Sequence, residues 1–381
     1  MTTTGWKSDA AALLGGILLP FAFAPFEWWP VAFFSLLLFH LTLYQGSLKR
    51  ALWRALLFGV GYFGVGISWV YVSISLFGNA MPPLAATITA MLILVMSGYM
   101  VLTTLLARKL SLGHGFGVLI LPFVWVLVEW LRGWLFTGFG WLGIGYAFTS
   151  TPIAAYAPYI GVLGMSFLVL LSCSLLLLGL RKEHGILPRA LAGAVLAVIW
   201  LLPLLLAFPV STKTEKQQIS VALLQGNVPQ HRKWLPSERR PTLDWYRRQT
   251  EAHWDKQLIV WPETAIPAYE DQVFAYLQAL HLAAQSRDTH ILLGMPVRET
   301  HGSRYYNALG VLGNTQRGPD SLYLKRHLVP FGEYLPFRFL LDPILGFLEI
   351  PMSNFSAGEM DKPLVTVGDL EAGVFICFEI A

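Results

Sequence analysis

Charge is what this sequence has least of. Only 13% of its 381 residues are Asp, Glu, Lys or Arg, against roughly 25% in an ordinary soluble domain. That excludes a plain cytosolic enzyme and a disordered chain, because both need more solvated surface than this composition supplies. Cysteine is nearly missing as well. Cys173 and Cys377 are the two present, which excludes a disulfide framework and leaves each to be read alone. The cationic excess is slight, 27 Lys+Arg against 23 Asp+Glu, and its placement along the chain gives it a meaning other than nucleic-acid binding.

What is present in abundance is apolar: 55% of the chain. The charge that does exist is unevenly divided. Residues 1–209 hold 10 Lys+Arg and 4 Asp+Glu, whereas the remaining 172 residues hold 17 and 19. The expected organisation is therefore a membrane domain over 1–209 and a globular domain over 210–381.

Seven apolar stretches fall in the first part, at about 10–25, 29–44, 52–74, 84–106, 116–135, 160–180 and 190–208. Most approach the ~20 residues that cross a bilayer; the first two are short, with Pro20, Pro25 and Pro30 near their ends. Lys7 and Ala22-Phe23-Ala24 give the first stretch some likeness to a signal peptide, but further apolar stretches follow at once. The loop charges alternate: Lys7, then Lys49 and Arg50, then Arg108 and Lys109, then Arg181, Lys182 and Arg189, while 75–83 and 136–159 carry no Lys or Arg. The positive-inside rule then keeps the N-terminus in the cytoplasm and sends 210–381 to the far side, the periplasm in a bacterium.

Within that half, Glu129 and Arg132 are three residues apart on one helix face and can neutralise each other. The loop 136–159 is uncharged and rich in glycine and aromatics, as a re-entrant or interfacial segment would be. An inverted repeat and a chain of intramembrane carboxylates are both missing, which argues against a transporter.

After Lys213 the pattern changes to short apolar runs: ISVALL (219–224), QLIVW (257–261), ILLGM (291–295), ALGVL (308–312) and GVFI (373–376). A helical segment over 238–254 carries Arg239, Arg240, Arg247 and Arg248 on a solvated basic face. Strands alternating with helices predict a layered α/β or α+β domain around a sheet.

Three strand ends there carry reactive groups. Glu263 in WPETAIP sits between two prolines, rigidly placed as a general base must be. Lys325 leads the KRH run before LVPFGEY, and on local pattern alone it is an exposed strand-end lysine. Cys377 ends a buried apolar run, where a cysteine is ordinarily a small hydrophobe; a nucleophilic one needs a base and a cation beside it.

Taken in order, Glu263, Lys325 and Cys377 resemble the Glu-Lys-Cys triad of the nitrilase (carbon–nitrogen hydrolase) superfamily. The flanking segments QGNVPQ (225–230), WPETAIP, HLVPFGEYLP (327–336), PMSNFS (351–356), ICFEI (376–380) and, in the membrane half, EWLRGW (129–134) are similar to the membrane-embedded apolipoprotein N-acyltransferase family. The resemblance covers essentially the whole chain. It implies an αββα sandwich and a ping-pong acyl transfer at the periplasmic face of the inner membrane. Cys377 would accept an acyl chain from a phospholipid as a thioester and pass it to the N-terminal amine of an S-diacylglyceryl-cysteine apolipoprotein. Glu263 would be the general base, Lys325 would help stabilise the oxyanion, and Glu333 would orient the lysine or assist proton transfer. Trp234 and Glu379 match positions the family uses near its active site. Phe378 stands where the family commonly has tyrosine. The chemistry implied needs no metal and no cofactor, and the protein is expected to act as a monomer.

The family continues past the nucleophile with more of the sandwich and a last transmembrane helix, so a chain that stops at Ala381 is expected to hold an incomplete sandwich. The segment 337–352 has the pattern of an amphipathic lid or of a buried arm of the core. Two other readings remain: a membrane-anchored amidase or nitrilase using the same triad on a small substrate, and a transporter or receptor whose periplasmic domain only binds ligand.

Overall fold

The structure is a computed structural model that describes residues 5–78, 80–111, 117–135, 138–181, 183, 185–205, 218–299, 302–314, 322–329, 332–334, 355–359 and 364–380. The chain folds as two compact units, one helical and one built on a sheet. The segment 337–352 lies outside the described residues.

The helical unit comprises α1 (Gly5–Leu18), α2 (Trp29–Leu43), α3 (Leu48–Gly66), α4 (Trp69–Val72), α5 (Pro82–Leu110), α6 (Leu121–Arg132), α7 (Ala157–Leu180) and α8 (Ile186–Leu205). Each of the seven apolar stretches in the sequence contributes helix. Prolines stand in the first turns of α2, α5, α6 and α7, where a missing N–H costs nothing and the fixed φ favours helix. By length and composition, Pro82–Leu110, Pro152–Leu180 and Ile186–Leu204 can cross a membrane, and Leu48–Gly66 with Trp69–Leu76, bent by 50°, makes a fourth if counted as one span. Helices approach closely where small residues admit backbone-to-backbone contact. Gly16 of α1 supplies it: a Cβ there would lie 2.1 Å from the Phe58 carbonyl oxygen of α3.

Polar groups in this unit serve mainly to close helix ends. The buried Arg54 donates to the carbonyls of Thr42 and Gln45 and pairs with Asp9 at 3.0 Å. Arg108 donates to the carbonyls of Leu43 and Gly46. Together they satisfy carbonyls at the C-terminal end of α2 that helix geometry leaves orphaned. Glu129 and Arg132 are both buried, but they do not pair directly as their spacing suggests. The Glu129 carboxylate accepts from Trp125 Nε1, Ile144 N and Ser166 Oγ, while Arg132 donates to the Trp141 carbonyl. Both side chains therefore bind the backbone of the uncharged loop, which contains 3₁₀ turns at Ile144–Phe148 and Pro152–Tyr156.

The second unit contains β1 (Val221–Leu223), α9 (Gln230–Lys233), α10 (Pro236–Glu251), β2 (Leu258–Val260), α11 (Phe274–Gln285), β3 (His290–Arg298), β4 (Tyr305–Leu312), β5 (Leu322–Leu324), β6 (Leu364–Val367) and β7 (Leu370–Gly373). A mixed sheet runs β1-β2-β3-β4-β5, parallel across β1, β2 and β3 and antiparallel from β3 to β5; β6 and β7 form a separate antiparallel pair. Successive residues of β3 point to opposite faces. Ile291, Leu293 and Met295 pack with Tyr246, Leu277 and Leu280 of the helices, and Leu292 packs with Val365 and Val367 of β6. Among the described residues the layers are thus helices, five-stranded sheet, then the two-stranded sheet. The predicted run at 373–376 is a correction: β7 ends at Gly373, and Val374 to Ile376 continue without ladder pairing although Val374 and Ile376 remain in the inter-sheet core. The basic face of α10 is also less bare than its sequence implies, because Arg247 lies near Asp244 and Glu251.

Trp261 ties the helix layer to the end of β2. It is almost wholly buried, its ring stacks on Tyr246 at 4.6 Å, and its Nε1 donates to Thr250 Oγ1 at 3.1 Å. Trp261→Ala should destabilise this unit by about 3–5 kcal/mol, read as a lowered midpoint in denaturant unfolding; a change below about 1 kcal/mol would refute this anchoring role.

Candidate active site

Glu263 follows β2 by two residues, in a turn that crosses close over β3. Gly294 of β3 makes that crossing possible, since a Cβ there would sit 2.7 Å from Glu263 Cα and 2.6 Å from Thr264 N. Thr264 has φ +46, in a left-handed region that costs a β-branched residue conformational energy. The Glu263 side chain remains 34% exposed, open enough to meet a substrate.

Lys325 comes immediately after β5, and its N–H extends the ladder to the Asn307 carbonyl at 2.8 Å. The expectation of an exposed lysine is overturned here: the side chain is 1% exposed. A buried ammonium needs counter-charge, and two carboxylates supply it. Lys325 Nζ lies 3.4 Å from Glu263 Oε1, 3.0 Å from Glu333 Oε1 and 2.9 Å from Glu333 Oε2. Burial alone would lower the lysine, but the attraction of Glu263 and Glu333 outweighs it and holds the amine above its usual range. The side chain therefore stays cationic at neutral pH.

Asn307, from the middle of β4, joins the two carboxylates. Its Nδ2 donates to Glu263 Oε1 at 2.6 Å and to Glu333 Oε1 at 2.9 Å. Because both carboxylates demand a donor, the amide must turn its NH₂ towards them, and its buried Oδ1 has no hydrogen-bond partner among the described residues. Glu333 is fixed further by Val329 N, which donates to Oε2 at 2.9 Å. Its exposure is 12%, so it has little room for anything but this structural bonding.

Cys377 stands at the start of a 3₁₀ turn, Cys377–Ile380, with φ +53, and the residue is exposed. The thiol is pushed above the usual range, first by loss of surrounding water and then by the Glu263 and Glu333 carboxylates, while Lys325 pulls the other way. It therefore rests as a thiol and needs a base to become a nucleophile.

Glu379 holds the Cys377 turn against the loop that follows Lys325. One oxygen accepts from Arg326 N (2.7 Å), His327 N (3.2 Å) and Tyr323 OH (2.9 Å); the other accepts from Ile376 N at 2.7 Å. The last bond is the backward half of a capping box. Phe378 meets the His327 ring edge-on at 5.4 Å. Trp234 is half-buried at the end of α9. Its neighbour Lys233 is the residue that reaches the Glu263 turn, donating to the Glu263 carbonyl (3.3 Å) and to Thr264 Oγ1 (2.5 Å). Asn307 and Lys233 carried no signal of their own in the sequence: one is a polar residue within a strand pattern, the other belongs to a basic run. Among the described residues no group of three or more His, Cys, Asp or Glu side chains is arranged to hold a metal ion.

A carboxylate after β2, an ammonium after β5 and a thiol in the turn beyond β7 come together in this unit, and residues 220–381 match the model of the Carbon-nitrogen hydrolase family. Residues 15–175 match that of the Apolipoprotein N-acyltransferase N-terminal domain. The chain is 42% identical to the apolipoprotein N-acyltransferase of Methylococcus capsulatus, covering 98% of this chain and 73% of that protein. Identity is 38% with that of Coxiella burnetii (82% of this chain, 64% of that one) and 37% with that of Photobacterium profundum (83% and 61%). The chain belongs to the apolipoprotein N-acyltransferase family.

The charges around Cys377 dictate how its reactivity should respond to change. Alkylation by a thiol reagent should report an alkaline titration midpoint. That midpoint should rise in Lys325→Met, where the thiolate loses its cation, and fall in Glu263→Gln, where it loses a repelling carboxylate. Identical midpoints in the three proteins would detach the thiol from the cluster.

Proposed function

We propose that this protein transfers an acyl chain from a membrane phospholipid to the N-terminal amine of S-diacylglyceryl-cysteine apolipoproteins, through a thioester on Cys377. The observation that carries the reading is the meeting of a buried, permanently charged Lys325 with Glu263 and with a thiol that is protonated at rest. In the first half-reaction Glu263 takes the Cys377 proton and the sulfur attacks an ester carbonyl of the phospholipid. Lys325 stabilises the oxyanion. Collapse breaks the ester C–O bond, and the lysophospholipid alkoxide leaves with the proton held by Glu263. In the second half-reaction the lipoprotein's amine attacks the thioester, Glu263 accepts its proton, an amide forms and the Cys377 thiol is restored.

Family membership and the apolar helices support the choice of lipid-anchored substrates over small soluble ones. Both proposed substrates are held in the bilayer, so the nucleophile has to work at headgroup height. Seven spans, with residues 210–381 in the periplasm of a bacterial inner membrane, accommodate that chemistry and the alternation of loop charge. Glu333 orients Lys325 in this mechanism, and Glu379, Phe378 and Trp234 support the walls of the site. The protein is proposed to act as a monomer, without cofactor.

Incubation of the membrane-embedded protein with labelled phospholipid alone should leave a hydroxylamine-sensitive acyl group. Cys377→Ser should abolish it and Cys173→Ser, altered deep in α7, should not. Label that survives Cys377→Ser refutes the thioester.

The two carboxylates should also separate in single-turnover acylation. Glu263→Gln loses the base and should slow the step about 10²–10⁴-fold. Glu333→Gln keeps an oxygen for Lys325 and Val329 N and should slow it less. The reverse order, on equal amounts of folded protein, would assign the base to Glu333.

A further inference from the structure

Lys233 is half-buried and spends its hydrogen bonds on the turn that carries Glu263. Nζ donates to the Glu263 carbonyl at 3.3 Å and to Thr264 Oγ1 at 2.5 Å. The same turn is pressed from the opposite side by Gly294 and contains the left-handed Thr264. A β-branched residue keeps that conformation only where its surroundings over-determine it, and the lysine is one of the groups that do so. A second observation is electrostatic. Among the described residues, the charged and titratable groups facing Glu263 are Lys325, Glu333, Cys377 and Lys233. Lys325 is shared between two carboxylates, so one cation serves two anions. Lys233 supplies the second positive charge, and Glu263 is the carboxylate whose field it feels.

We infer that Lys233 is a positioning residue of this active site, clamping the turn behind Glu263 and placing a positive charge beside its carboxylate. The inference rests on Glu263 being the base. Burial favours the neutral amine of Lys233 and the Glu263 charge opposes this. A merely structural lysine would affect how much of the protein is correctly built; a lysine that also acts by its charge would show in the pH profile of the reaction.

The test is the pH dependence of single-turnover Cys377 acylation in the membrane-embedded protein, with labelled phospholipid as the acyl donor. In Lys233→Met, a proton competes better for the Glu263 carboxylate, so the acidic limb of the profile should move to higher pH. The plateau rate should fall about 10- to 100-fold as the turn loses its clamp. Lys233→Arg keeps the charge and should leave the limb where the wild type has it. Thr264→Val keeps the ammonium but removes one of its partners, and should slow the plateau without moving the limb. An unmoved limb in Lys233→Met, at whatever plateau rate, overturns the inference, as does an equal movement in Lys233→Arg. Glu263→Gln, run beside them, separates the two ideas. Wild-type acylation in that variant takes down the base assignment and this inference together. A dead Glu263→Gln beside an unmoved Lys233→Met limb takes down the inference alone.

Discussion

A lysine ammonium removed from water is the constraint on which the catalytic unit turns. Lys325 can be buried only if carboxylates surround it, and this requirement draws Glu263 and Glu333 to one point from the ends of separate segments. Asn307 then becomes necessary as a donor between two anions that would otherwise repel. The resting state of the thiol follows from the same cluster, because two carboxylates and lost hydration outweigh one cation. Charge burial thus determines the geometry of the cluster: a fixed cation, a carboxylate left partly open to solvent, and a sulfur that rests protonated beside them.

The sheet makes this convergence possible by setting where its strands stop. β2, β4 and β5 carry Glu263, Asn307 and Lys325 at or near the same edge of the inter-sheet layer. Trp261 fixes the end of β2 from the helix side, and Gly294 lets the following turn pass over β3 without a clash. In the helical unit the problem is reversed. Apolar surface is plentiful there, and the few polar side chains serve as fasteners for backbone: Arg54 and Arg108 for the end of α2, Glu129 and Arg132 for the uncharged loop.

The sequence made the two-part organisation legible because charge density is a property of composition and needs no fold to read. Four of the five expected strands formed, since a strand covered on both faces reads as a short continuous apolar run, as in ILLGM and ALGVL. The run at 373–376 misled because apolar residues pack in the inter-sheet core there without a strand partner. Glu263, Lys325 and Cys377 were legible through resemblance, but the burial of Lys325 was not, because exposure depends on residues far away in sequence. Asn307 and Lys233 stayed hidden for the same reason: their partners lie 26 to 44 residues away. Glu129 and Arg132 lie within each other's field as their spacing implies, but their hydrogen bonds go to the loop backbone and to Trp125 and Ser166, which the spacing did not show.

Glu379 has a consequence for motion. Its carboxylate spans the backbone amides of Arg326, His327 and Ile376, so the loop that follows the cation and the segment that precedes the sulfur share one anchor. A thermal displacement of either is then transmitted to the other as a common-mode movement, and the differential component, which alone alters the gap between ammonium and sulfur, is suppressed. Any group that enters between them meets a pair whose mutual spacing is quieter than the position of either.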